Sequence, residues 1–288
     1  MIKSLILVLS LCSLALQASA SGSRCEEMFK HARTAIQNEA LEENQFNVSR
    51  RLAQYTAHFP FQIKLDAELA ALPPGSRWVD MGAGKAGALM DGLEKYPNLL
   101  GTGIAFKKPW DMVKRREFAD RFEYLDGELV ENMAADGTLD HLRGKVQILT
   151  DLYGPLSYSE HLPELMQVYV DLLARGGVGF INMMSERKEG GRFSWARRAQ
   201  WVNAIDSNPH GFVEWLRTIP GIQVIESRTF KVDSPRISEK SDAVKILKII
   251  DHVVVPHTIE TLSYEAGSPP VRLFRSVRDS APAAASGF

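Results

Sequence analysis

The segment Trp78-Val79-Asp80-Met81-Gly82-Ala83-Gly84-Lys85-Ala86-Gly87 decides the fold. Trp78 to Met81 reads as the end of a buried strand, and residues 87–95 have the spacing of a helix. Between them the glycines follow the pattern G-x-G-x-x-G. Gly82 permits the tight turn out of the strand. Gly84 lets the backbone approach a ligand, and Gly87 lets the next helix pack close to the sheet. Amides exposed at the start of that helix favour polar or anionic ligand groups. The glycine pattern alone says little; a strand before it and a helix after it give it meaning.

Working outward, the chain alternates. Pro73-Pro74-Gly75 stops a helix over residues 62–72, and Pro60 divides that helix from the one before it. A polar surface helix is expected over residues 26–43. Downstream, strands are expected at 99–106, 122–125, 146–150 and 178–183. Helices are expected at 111–119, 129–134 and 160–174. Such alternation predicts an α/β fold with a mostly parallel sheet and helices on both faces. Residues 186–191 read as a mobile surface loop. Residues 191–217 read as mostly helical, with Trp195, Trp201 and Trp215 as core. Residues 222–231 and 243–250 read as an antiparallel closing pair joined by the polar stretch 233–242. Residues 253–255 and 271–274 suit a small extension.

Totals set bounds on the rest. The chain has 288 residues, 45% of them hydrophobic and 24% charged, with a formal net charge of −1. Nothing global indicates nucleic acid or an acidic membrane surface. Lys3, the apolar run from Leu5 to Leu16 and Ala18-Ser19-Ala20 read as a secretory signal cut after Ala20, too short for a membrane span. Export, to a periplasm or the exterior, is therefore expected. Cleavage would leave Cys25 as a lone cysteine, which excludes an internal disulfide and a cysteine metal site. Asn47-Val48-Ser49 matches a glycosylation acceptor. The histidines show no metal-ligand spacing.

Asp80, two residues before the first glycine, separates two kinds of ligand. A dinucleotide site usually has an apolar residue there. The stretch Val79-Asp80-Met81-Gly82-Ala83-Gly84 resembles the first motif of class I S-adenosylmethionine-dependent methyltransferases. Pro73-Pro74-Gly75 before it, Ala174-Arg175-Gly176-Gly177 before a later strand and Ser241-Asp242-Ala243-Val244 in the closing strand resemble the same family. The resemblance spans residues 62–250. It implies a Rossmann-like seven-stranded sheet ending in an antiparallel hairpin, with S-adenosylmethionine as cofactor. Asp80, Gly82, Ala83 and Gly84 would then lie at the methionine end of the cofactor. Asp126 and Gly127, after the third strand, would lie near its adenine. The family ends its second strand with an acid that grips the ribose; this chain has Ala105 and Phe106 there, and neither side chain accepts a hydroxyl hydrogen bond.

After the fourth strand stands Asp151-Leu152-Tyr153-Gly154-Pro155-Leu156-Ser157-Tyr158-Ser159-Glu160-His161. In the family this segment faces the transferred methyl group. Asp151 or His161 is a candidate base, and Tyr153 a candidate pocket wall or contact to the sulfonium. No Asn-Pro-Pro-Tyr motif and no Gly-x-Ser-x-Gly elbow occurs. The expected organisation is a signal at 1–20, a helical segment at 21–61, the methyltransferase-like domain at 62–250, an extension at 251–280 and a disordered tail at 281–288. Two other functions compete with methyl transfer. One is an exported domain of this fold that binds a ligand or partner without catalysis. The other is an NADP-type oxidoreductase, in which Lys107-Lys108 would meet a 2′-phosphate.

Overall fold

A computed structural model describes residues 49–105, 118–126, 129–158, 162–189, 192–193, 198–203, 209–210, 212–233, 237–256, 258–263 and 271–272. They belong to a compact unit, Phe46–Phe288. The signal segment, the helix expected at 26–43, residues 111–117 of the helix expected at 111–119 and the tail at 281–288 lie outside the described residues, as do Phe106, Lys107, Lys108, Gly127 and His161.

The chain enters through α1 (Leu52–His58) and α2 (Leu65–Ala70), then runs β1 (Arg77–Met81), α3 (Gly87–Lys95), β2 (Leu100–Ala105), β3 (Phe122–Asp126) and α4 (Val130–Ala135). It continues through β4 (Val146–Leu152), the short α5 (Pro155–Tyr158), α6 (Leu162–Leu172) and β5 (Leu173–Glu189). The strands β6 (Arg192–Phe193), β7 (Arg198–Asn203) and β8 (Pro209–His210) follow, then α7 (Phe212–Arg217). The last strands are β9 (Ile222–Asp233), β10 (Ile237–Lys248), β11 (Thr258–Ser263) and β12 (Val271–Arg272).

The main sheet has the order β3-β2-β1-β4-β5-β10-β9, with β6 pairing to β5. Strands β1 to β5 are parallel, and β10 pairs antiparallel with both β5 and β9. This is the seven-strand path with a closing hairpin that the sequence predicts.

Alternation along the strands builds a core on each face. Val79, Met81, Ile104, Leu149, Ile181 and Val244 meet residues of α4, α6 and α7, among them Met133, Leu165, Tyr169 and Trp215. Trp78, Ile148, Leu152 and Phe180 meet α1, α2 and α3 through Tyr55, Phe59, Leu65, Leu89 and Leu93. Gly92 brings α3 down onto the sheet: a Cβ there would stand 2.5 Å from the Trp78 ring.

Three expectations are corrected. Among the described residues of 191–217, strand outweighs helix. They hold β6, β7 and β8, and the helix α7 covers only Phe212–Arg217. The partner of β7 is β11, with Asn203 facing Thr258, so a distant segment overrides the local helical spacing. Nor does 186–191 begin as a loop: β5 continues to Glu189, paired with β10 through Glu186↔Lys240 and Glu189↔Ile237. The polar 233–242 stretch is likewise largely strand, since β9 reaches Asp233 and β10 starts at Ile237.

Candidate ligand-binding site

The strand order reverses between β1 and β4, where the chain leaves toward β2 on one side and β5 on the other. In an open parallel sheet that reversal leaves a crevice at the carboxyl ends of the two strands. The loop after β1 holds Gly82 at φ +82°, Gly84 at +52° and Ala86 at +51°. These alternate left-handed positions curl the backbone, and the Gly82 and Ala83 amides both donate to the Ile104 carbonyl, at 2.8 and 2.9 Å, which pins the loop to the end of β2. A Cβ on Gly82 would stand 2.6 Å from the Gly154 Cα, and one on Gly154 would stand 2.3 Å from the Met81 carbonyl oxygen. The two loops thus touch backbone to backbone, which only glycine allows at both places.

Asp80 lies beneath this contact and is fully buried. Its Oδ2 accepts from the Tyr55 hydroxyl at 2.8 Å, and its Oδ1 accepts from Thr150 Oγ1 at 2.7 Å. Trp78 Nε1 donates to the same Thr150 oxygen at 2.9 Å. Thr150 stands at the facing position on β4, so the bond is a direct cross-strand pair. Burial pushes the Asp80 carboxyl up to about 7, against the two hydroxyls, which favour the ionised form.

Asp151 projects to the other face. Its Oδ1 accepts from Gly154 N at 2.6 Å, and its Oδ2 accepts from Leu156 N at 3.1 Å and the Tyr169 hydroxyl at 2.5 Å. It is fully buried, and burial pushes its carboxyl up to about 6. These bonds make Asp151 the residue that shapes the loop into α5; its position does not suit a base that meets a substrate.

Tyr153 stays at the crevice. Its backbone is left-handed, at φ +55°, which is uncommon outside glycine. Its amide donates to the Asn182 carbonyl at 3.0 Å. The Arg50 guanidinium lies 5.4 Å from its ring centroid, and the His58 ring meets it edge-on at 5.6 Å. Ser241 Oγ donates to its hydroxyl at a long 3.4 Å. Asn182 Nδ2 donates to the His58 carbonyl at 3.0 Å, which fixes the amide's orientation, since an oxygen there would face an oxygen. Asn182 Oδ1 is then buried with no hydrogen-bond partner. His58 is lowered from its ordinary value, first by burial and then by the Arg50 charge.

At the other end of the crevice, Ala83 is buried and β2 ends on buried Ala105. Ala105 faces Asp126 across the β2–β3 ladder, so the carboxylate missing from β2 is present one strand away. The Tyr124 hydroxyl donates to the Gly84 carbonyl at 2.5 Å and braces the glycine loop. Sequence reasoning passed over Arg50, Tyr55, Thr150 and Asn182. Only the fold brings them to the loop, and no motif marks them. Among the described residues no group of three or more His, Cys, Asp or Glu could hold a metal, and no helix is long and apolar enough to cross a membrane.

No protein-family model matches the sequence, and no curated protein matches it. Solved structures do match. One is the 1,6-didemethyltoxoflavin-N1-methyltransferase of Burkholderia thailandensis, solved with 1,6-didemethyltoxoflavin and S-adenosylhomocysteine bound. It aligns with a TM-score of 0.50 over 78% of this chain and 90% of its own, at 13% identity. The [4+2]-cyclase SpnF aligns with a TM-score of 0.44 over 65% of this chain and 79% of its own, at 13% identity. A geranyl diphosphate methyltransferase aligns with a TM-score of 0.41 over 65% and 76%, at 12% identity. Likeness at such identity is likeness of fold.

Proposed function

From a chain with the fold of class I S-adenosylmethionine-dependent methyltransferases, we propose a methyltransferase that binds S-adenosylmethionine in the β1–β4 crevice and acts on a small-molecule acceptor. The observation that carries the reading is the backbone contact of Gly82 with Gly154 above buried Asp80, at the reversal of strand order. The neighbour that aligns over 90% of its length holds S-adenosylhomocysteine and a small acceptor, which supports both halves of the reading.

The residues present fit that cofactor. The close approach of the Gly82–Gly84 backbone to Gly154 leaves room for the cofactor over the loop, whose Gly82 and Ala83 amides are anchored on the Ile104 carbonyl. The buried Asp80 carboxyl lies beneath its amino-acid end, where a bound ammonium would favour the ionised form. Asp126, facing Ala105, takes the hydrogen-bonding role toward the ribose that β2 does not fill. S-adenosylmethionine supplies an electrophilic methyl carbon on a positively charged sulfur. The chain then has to place a nucleophile in line with it and, for a protic nucleophile, remove a proton. Tyr153 walls the acceptor side, and Asn182 Oδ1 accepts a hydrogen bond from the acceptor. His58, neutral at pH 7 because of burial and the nearby guanidinium, receives the proton. Asp151 acts earlier in the chain of causes, by holding the Tyr153-Gly154 turn.

The test is transfer of label. The chain is incubated with methyl-labelled S-adenosylmethionine and a small-molecule extract of its source cells. Label in a low-mass product, lost in the Asp126→Ala and Tyr153→Ala variants, is expected. Label only in macromolecules would contradict the acceptor class, and no transfer at all would contradict the activity.

A further inference from the structure

Arg50 is a half-buried cation at the mouth of the crevice with no counter-ion among the described residues. Its neighbour Arg51 shows the contrast, since that guanidinium is paired with Asp91. The backbone of Arg50 lies on the first turn of α3: a Cβ on Gly87 would stand 2.7 Å from the Arg50 carbonyl oxygen. Its side chain reaches across to β4, where Nη1 donates to the Leu152 carbonyl at a long 3.4 Å and the guanidinium covers the Tyr153 ring. It therefore bridges the two walls of the crevice directly above the glycine loop. A guanidinium carries five N–H donors in a planar fork that matches a carboxylate, and this one spends a single long bond on a carbonyl.

We propose that Arg50 is the carboxylate-recognising residue of the site, and that it holds the carboxylate of the amino-acid end of S-adenosylmethionine. The assignment rests on the cofactor reading above. The charges flanking the loop suit a zwitterion. Asp80 lies below, with hydroxyls as its hydrogen-bond partners, and draws an ammonium. Arg50 lies above and draws a carboxylate. The same contact ties ligand binding to the entering segment, because α1 is docked through Tyr55 on Asp80 and through Asn182 on the His58 carbonyl. A ligand gripped by Arg50 holds that segment down.

The competing role is structural: Arg50 as a charge balance for buried Asp80 and Asp151, whose carboxyls its charge helps to keep ionised. The two roles part on the ligand's carboxylate. Calorimetry is run with S-adenosylmethionine and its decarboxylated analogue on the wild type, Arg50→Gln and Arg50→Lys. Arg50→Gln should weaken S-adenosylmethionine by about tenfold to a hundredfold, the range of a charge-assisted hydrogen bond, and leave the decarboxylated analogue unchanged. Arg50→Lys should fall between, since it keeps charge without the fork. Equal losses on both ligands, or none on either, would overturn the assignment. A wild type that binds S-adenosylmethionine and its decarboxylated analogue equally well would overturn it too. A wild type that binds neither of these nor S-adenosylhomocysteine would remove the cofactor reading itself, and Arg50's role with it.

Discussion

Asp80 is a carboxyl group fully out of water with hydroxyls on both of its oxygens. Its value of about 7, against an ordinary 3.8, ties stability to pH. Between pH 4 and pH 7 the folded chain keeps a proton on Asp80 that the unfolded chain has already lost. Stability from this group therefore falls as pH rises through that window and levels off above it. Asp151, raised to about 6, acts in the same direction. Urea unfolding of wild type and Asp80→Asn from pH 4 to pH 8 checks this. The variant should gain stability relative to wild type as pH rises to 7 and hold that difference above. A difference independent of pH would mean that Asp80 titrates normally. The importance of Asp80 was legible from its place before Gly82. Its partners were not, because Tyr55 and Thr150 approach it only through α1 and β4. Asp151 shows the reverse: its place after β4 drew it into the chemistry, while its bonds to Gly154, Leu156 and Tyr169 make it a capping residue.

At the scale of elements, the site depends on loops that meet without side chains. Gly154→Ala would push a Cβ to 2.3 Å from the Met81 carbonyl, whereas one on Gly144 meets nothing within 4 Å. Gly154→Ala is expected to cost about 2–3 kcal/mol or more from overpacking. Gly144→Ala should cost only the roughly 1 kcal/mol of a left-handed backbone, since its φ is +67°. Chemical denaturation of the two variants compares them directly, and equal losses would show that the loop contact is not close. The loop after β1, the helix α3 and the closing hairpin were readable, because each is specified by neighbours in sequence. The β7 to β8 stretch was not. Its strand state comes from pairing with β11, and its local spacing fits a helix equally well. The length of β5 was hidden for the same reason, since its charged end is held by β10.

At the scale of the molecule, each face of the sheet has its own task. The face under α4, α6 and α7 is mainly apolar, with the Asp151 carboxyl and the Lys248 ammonium buried against α6. The face under α1, α2 and α3 carries polar side chains in one row across the sheet, Tyr124, Asp80, Thr150, Lys245 and Glu226, with Gly103 and Phe180 between them. Lys245 is buried there, paired with Glu68 of α2 and set 5.1 Å from the Phe180 ring centroid. Buried charge of this kind is a poor source of stability but fixes how α2 sits. The entering helices are thereby held over the ligand crevice, which makes them part of the site. That crevice is the central claim, and calorimetric titration of the purified chain with S-adenosylhomocysteine tests it most directly. The account predicts saturable binding at one site per chain, weakened by Asp126→Ala and not reproduced by NADPH. No heat with S-adenosylhomocysteine, or saturable binding of NADPH in its place, would contradict it.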